Sequence, residues 1–274
     1  MRKVTESLKI EDNLLRNSRH SIELVLELTK REIQAKHRGT YVGIVWAFLA
    51  PVLMAALFTL FFAEVFKARW EQFPSSLSFG IAIYSGLLIH GFVIDVLSRA
   101  VLCVISHSHL VRKLVFPVQV LPVVVVLSAA FQLIIGLIPL IAMSFWSGAQ
   151  VSWHLLLLPL TIVPLLVLSL GLAWLGASLG VYLRDLTQAM PFIGNALLFL
   201  SPIFYARSAL PEAFQPFMLL NPITLIVEAI RDIVMKQLAP DFWALSIYLI
   251  IAFMIAGLGY AAFQALKRGF IDVL

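Results

Sequence analysis

Gly176-Ala-Ser-Leu-Gly180 has the G-x-S-x-G spacing of a turn that raises a nucleophilic serine. That chemistry needs a strand before the serine, a helix after it, and an acid and a histidine from elsewhere. Ser178 instead sits within a Leu-rich, uncharged stretch, where Ala173, Gly176, Ala177 and Gly180 read as a small-residue face for helix packing. His107 and His109 have the types of a metal pair, but no second cluster of ligands accompanies them, so a solvated loop is the expected setting. Asp95 and Arg99 stand four residues apart, which on a helix forms an ion pair; it serves structure or marks a polar patch in a transport route. No G-x-x-x-x-G-K-[ST] occurs, and no Gly precedes a Lys, so the chain builds no P-loop. No catalytic residue, metal site or resident cofactor is expected. Any dependence on ATP has to come from a partner.

The elements that carry these residues are set by where charge is missing. From Leu114 to Leu183 seventy residues pass without an Asp, Glu, Lys or Arg, about three times the ~20 apolar residues that cross a bilayer. A soluble domain needs charged surface to stay in solution, so the chain is an all-α membrane protein. Gaps between charges place six spans near 42–66, 77–98, 117–146, 153–182, 188–206 and 242–266, the long run dividing between Trp146 and Trp153. Fifteen of the twenty Lys and Arg then fall in residues 1–40, the loops after spans two and four, and the tail. The positive-inside rule puts both termini in the cytoplasm. The first forty residues lack the apolar core of a cleavable leader, and the single Cys103 excludes an internal disulfide. The net charge of +5 suits anionic lipid headgroups rather than nucleic acid.

Two organisational units follow: a segment 1–40 and a six-span body 41–274. Ser21 can cap a helix reaching His37, with Ile22, Val25, Leu26, Thr29 and Ile33 on one stripe. Such a helix lies in the membrane interface, either as an anchor for span one or as a gate at the mouth of a pathway. Span one is rich in rings. Phe58, Phe62 and Phe66 recur every four residues, and Trp46 precedes them. These rings either line a channel or pack against lipid and helices. Acidic groups at mid-bilayer, the mark of an ion-coupled carrier, are missing.

Residues 28–51, with Gly43, Trp46, Ala47 and Pro51 in a G-x-x-W-A-x-x-x-P run, resemble the entry to the first span of type-2 ABC polysaccharide-export permeases. Ser98-Arg-Ala100, then His109-Leu-Val-Arg-Lys-Leu-Val-Phe-Pro117 and Leu121-Pro122, resemble that family's second cytoplasmic segment. Tyr182-Leu-Arg-Asp185, Leu200-Ser-Pro-Ile-Phe-Tyr205, and Leu220-Asn-Pro-Ile223 with Glu228 match three more stations, in order. His109 replaces a common Asn, and Gln119 replaces a common acidic or Arg residue.

The resemblance implies a homodimer in the bacterial inner membrane, served by two copies of a separate ABC ATP-binding subunit that holds the ATP. It implies export of a lipid-linked polysaccharide such as O-antigen, capsule or teichoic acid. It makes segment 99–117 the coupling element, with His109, Leu110, Val111, Arg112, Lys113 and Phe116 meeting the ATPase, and makes 207–240 a pair of short re-entrant helices. A type-2 exporter of drugs or small lipids shares the six-span plan and is the competing expectation.

Overall fold

A computed structural model describes residues 22–36, 45–61, 75–111, 116–148, 152–205 and 221–274, with isolated positions 211, 215 and 218. Every regular element among the described residues is helical. We number them α1 (22–36), α2 (Val45–Thr59), α3 (Ser76–Ser106), α4 (Ser108–Val111), α5 (Val120–Trp146), α6 (Leu158–Tyr182), α7 (Leu186–Leu200), α8 (Pro222–Arg231), α9 (Phe242–Leu266) and α10 (Phe270–Val273). The Val-rich run 120–126 would favour a strand in water, yet it opens α5. In lipid every backbone group must be satisfied within its own segment, and a helix does that.

Among the described residues, four helical stretches are long and apolar enough to cross a membrane: Ser76–Ser106, Val120–Trp146, Trp153–Tyr182 and Phe242–Val273. The expected break between spans three and four appears as a turn at Ser147 and Gly148, where Gly148 has φ 92°. The last expected span, 242–266, coincides with α9, whose N-terminus is capped by Asp241 accepting from the backbone of Trp243 and Ala244.

Two expectations need correction. Span two does not end at residue 98. α3 runs on through the Asp95–Arg99 pair to Ser106, thirty-one residues from its Ser75 cap. No helix breaker lies between Arg99 and Ser106, and an internal ion pair lets a helix carry charge at little cost. Span five does not reach residue 206. α7 stops at Leu200, and Ser201 turns extended before Pro202, as the residue before a proline tends to. Its fifteen residues rise about 22 Å at ~1.5 Å each, short of a ~30 Å hydrocarbon core.

α3 is the central element, touching α2, α5, α6, α7 and α8. Its Tyr84, Ile89, Val96, Ala100 and Val104 are buried, and Tyr84 donates to the Gly136 carbonyl of α5 at 2.8 Å. α6 approaches α3 and α9 through small residues. A Cβ added at Gly180 would strike the Val101 backbone, and one at Gly171 would lie 2.7 Å from Ala256 Cα. α9 leaves Trp243, Phe253, Met254 and Leu258 open on its outer face.

Candidate functional site

At the α4 end of α3, four charges from two helices form one node. Arg99 donates through Nη2 to Asp95 at 2.6 Å and through Nη1 to Glu32 of α1 at 2.6 Å. Nη1 also reaches Ser128 Oγ of α5 at 2.7 Å, and Lys36 of α1 lies 3.3 Å from Asp95. Asp95 and Arg99 pair as their spacing predicts, while Glu32 and Lys36 are partners the sequence did not reveal. The hydrophobic stripe of α1 is only partly used. Thr29 is buried and Val25 and Ile33 half-buried, whereas Ile22 and Leu26 are 60% exposed. The proposed cap Ser21 lies outside the described residues.

A cavity of about 670 Å³ opens between α1 and the body, with Leu28, Arg31 and Glu32 on one wall and Leu102, Cys103 and His107 on the other. The segment expected to meet an ATPase borders it. His109 is exposed, Leu110 half-buried, and Val111 buried; Phe116 packs against the core. Arg112 and Lys113 lie outside the described residues. The expected solvated loop at His107 is instead a tight helix junction, where Nδ1 of His107 lies 2.8 Å from the Cys103 carbonyl. The described residues contain no group of three or more His, Cys, Asp or Glu able to hold a metal. Gln119, a departure from the resembled pattern, is a hub: its carbonyl accepts from Trp174 Nε1 at 3.2 Å, and its Oε1 from Lys267 at 3.1 Å.

At the opposite end, the last carbonyls of α7 would be orphaned inside the membrane. Neighbours satisfy them. Asn221 Nδ2 donates to Leu200, Tyr205 to Phe199, and Ser201 to Leu197. Asn221 also caps α8, its Oδ1 accepting from Ile223 N at 2.9 Å, with Pro222 at the first helical position. The Leu200–Tyr205 and Asn221–Ile223 stations thus meet in space. Arg231 completes the cluster. It is buried and donates to the carbonyls of Ala82 and Pro202, each at 2.7 Å. Of the expected re-entrant pair, α8 is described; residues 207–220 fall largely outside the described ones.

The ring candidates separate. Trp46 is exposed, Phe58 is half-buried with its ring 4.9 Å from that of Phe204, and Phe62 and Phe66 lie outside the described residues. A face missed in the sequence is on α7. Gln188, Phe192, Asn195 and Phe199 are all exposed and recur at spacings of four, three and four, one helical stripe of alternating amides and rings. Hydrophobic counting overlooks it because amides weaken the apolar signal. Ser178 is buried in α6 and donates to the Leu175 carbonyl at 2.9 Å, the posture of a packed helical serine rather than a nucleophile.

The family model for "ABC-2 type transporter" matches residues 23–235. The chain is 26% identical over 220 residues to an O-antigen export system permease protein of Myxococcus xanthus, covering 80% of this chain and 82% of that protein. It is 23% identical over 270 residues to an O-antigen export system permease protein of Klebsiella pneumoniae, covering 98% and 100%. A polysialic acid transport protein of Escherichia coli is 22% identical over 208 residues, covering 75% and 78%. With the family match covering residues 23–235, this chain belongs to the ABC-2 type transporter family.

Proposed function

We propose that the chain is the membrane-spanning permease of an ATP-driven exporter that moves lipid-linked polysaccharide across a bacterial inner membrane. The observation that carries this is the alignment, over most or all of their length, with proteins named for O-antigen export and polysialic acid transport. The working unit is a homodimer with two ATP-binding subunits. Each permease has six spans with both termini in the cytoplasm, α2 belonging to the first and α7 to the fifth.

The described geometry supports a mechanical reading. α3 reaches from the coupling segment to the Arg231 cluster as one unbroken helix. From Arg99 to Ala82 it spans about 25 Å, at ~1.5 Å per residue. A push by the ATPase near His109–Phe116 enters α3 at one end and leaves at the other through Arg231 into the turn after α7. The exposed Gln188, Phe192, Asn195 and Phe199 stripe sits on the element that this movement reaches. Amides facing lipid are costly, so the stripe suits a hydrated passage in which rings meet sugar faces and amides meet hydroxyls.

The test is to reconstitute the chain with its ATP-binding subunit and assay hydrolysis with candidate cargoes. Lipid-linked polysaccharide is expected to stimulate turnover and small amphiphilic drugs not to. Stimulation by the drugs alone would reverse the assignment.

A further inference from the structure

We propose that α1 is a latched lid, held closed over the 670 Å³ cavity by the Glu32–Arg99 and Lys36–Asp95 ion pairs rather than by apolar packing. A helix built into a core interdigitates with it at close to crystal density. α1 does not. Leu28, Arg31, Glu32 and Ala35 line open space, and two of the stripe's apolar side chains, Ile22 and Leu26, point away from the body.

Two buried polar atoms on this contact, Thr29 Oγ1 and Arg99 Nε, have no hydrogen-bond partner. Unsatisfied buried groups disfavour the state that buries them, so the closed position carries its own incentive to open. Opposing that, the four charges attract across 2.6–3.3 Å at a site only about a quarter to two-fifths exposed, where water screens them less than at a free surface. A second, smaller cavity of about 260 Å³ lies beyond Lys36 and Asp95, lined by Leu88, Gly91, Phe92 and Gln132. The latch therefore stands between two chambers on the same side of α3, and its release joins them. Asp95 and Arg99 hold each other on α3 as well, so losing the α1 charges leaves no lone buried charge behind.

The lid deepens the gate reading of α1 and rests on it, but its test needs neither polysaccharide nor ATP hydrolysis. Cys103 is the only cysteine, is 4% exposed, and lies in the wall beneath α1. The full chain in permeabilised membrane vesicles is treated with a membrane-impermeant methanethiosulfonate. Glu32→Gln with Lys36→Gln is expected to label Cys103 about tenfold faster than the unaltered chain, a shift of ~1.4 kcal/mol in the opening equilibrium. Labelling at the unaltered rate overturns the latch. A second reporter guards against general loosening: Ser169→Cys in a Cys103→Ser background, placed at a buried position in α6. It is expected to stay unlabelled in the same double variant. Equal acceleration at both reporters also overturns the proposal. Failure of export in the reconstituted system would undo the transport reading and leave this result standing.

Discussion

Arg231 Nη1 donates to the carbonyl of Pro202 at 2.7 Å, tying the end of α8 to the turn that terminates α7. The same guanidinium reaches Ala82 and Ser85 of α3, so one side chain joins three elements. An ionisable residue buried in a membrane protein is rare and is retained for a reason. Here the reason visible in the structure is backbone satisfaction where water is scarce.

Replacing Arg231 with Met is expected to strip donors from at least two buried carbonyls, at about 1–3 kcal/mol each. Thermal unfolding in detergent, followed by tryptophan fluorescence, reports the loss. Arg231→Lys should recover only part of it, because an ammonium lacks the fork that spans both carbonyls. A Met variant as stable as the parent would remove the clamp from the account.

Gly171 and Gly257 make a matched pair. A Cβ at Gly171 would meet the Ala256 backbone at 2.7 Å, whereas one at Gly257 finds nothing within 4 Å. Gly171→Ala is therefore expected to separate α6 from α9 and destabilise by roughly 1–3 kcal/mol. Gly257→Ala should be neutral or slightly stabilising, since Ala is the better helix former. Equal behaviour in the same unfolding assay would contradict the packing.

Charge reversal at the coupling segment, Arg112→Glu with Lys113→Glu, is expected to abolish export while leaving membrane insertion and abundance intact. Co-purification of the ATP-binding subunit should fall in parallel. Normal export by that variant would take the docking role from this segment.

Phe192→Ala with Phe199→Ala removes two exposed rings from α7. Aromatic contacts of about 0.5–1.5 kcal/mol each predict export slowed by roughly tenfold, with stability and ATPase binding unchanged. Phe58→Ala should behave differently and lower stability, since that ring packs on Phe204. Export at the parental rate by the double α7 variant would relegate the stripe to lipid contact.

Much of the architecture was legible because a bilayer makes local sequence decisive. Charge gaps located the long spans, two Trp flanked the break between α5 and α6, and residues 242–266 emerged as α9 with its limits intact. The Asp95–Arg99 pair was readable too, because helical spacing alone brings those side chains together. The limits of α3 and α7 were less so, since a charged pair did not end one helix and a proline ended the other early.

What the sequence by itself determined, then, is much of what neighbours along the chain govern: apolar length, the i, i+4 pairing of Asp95 with Arg99, and the order of the family stations. What only the tertiary structure decided is who meets whom across the fold. Arg231 is buried against Ala82, 149 residues away. Glu32 found Arg99 across 67 residues, and Lys36 found Asp95 across 59. Such partners depend on which helix faces pack, and that choice is set by the close approach of small residues and by backbone groups needing donors inside the membrane. The small-residue face of α6 was visible in the sequence, but which helix it meets was not, and backbone groups needing donors leave no periodic trace.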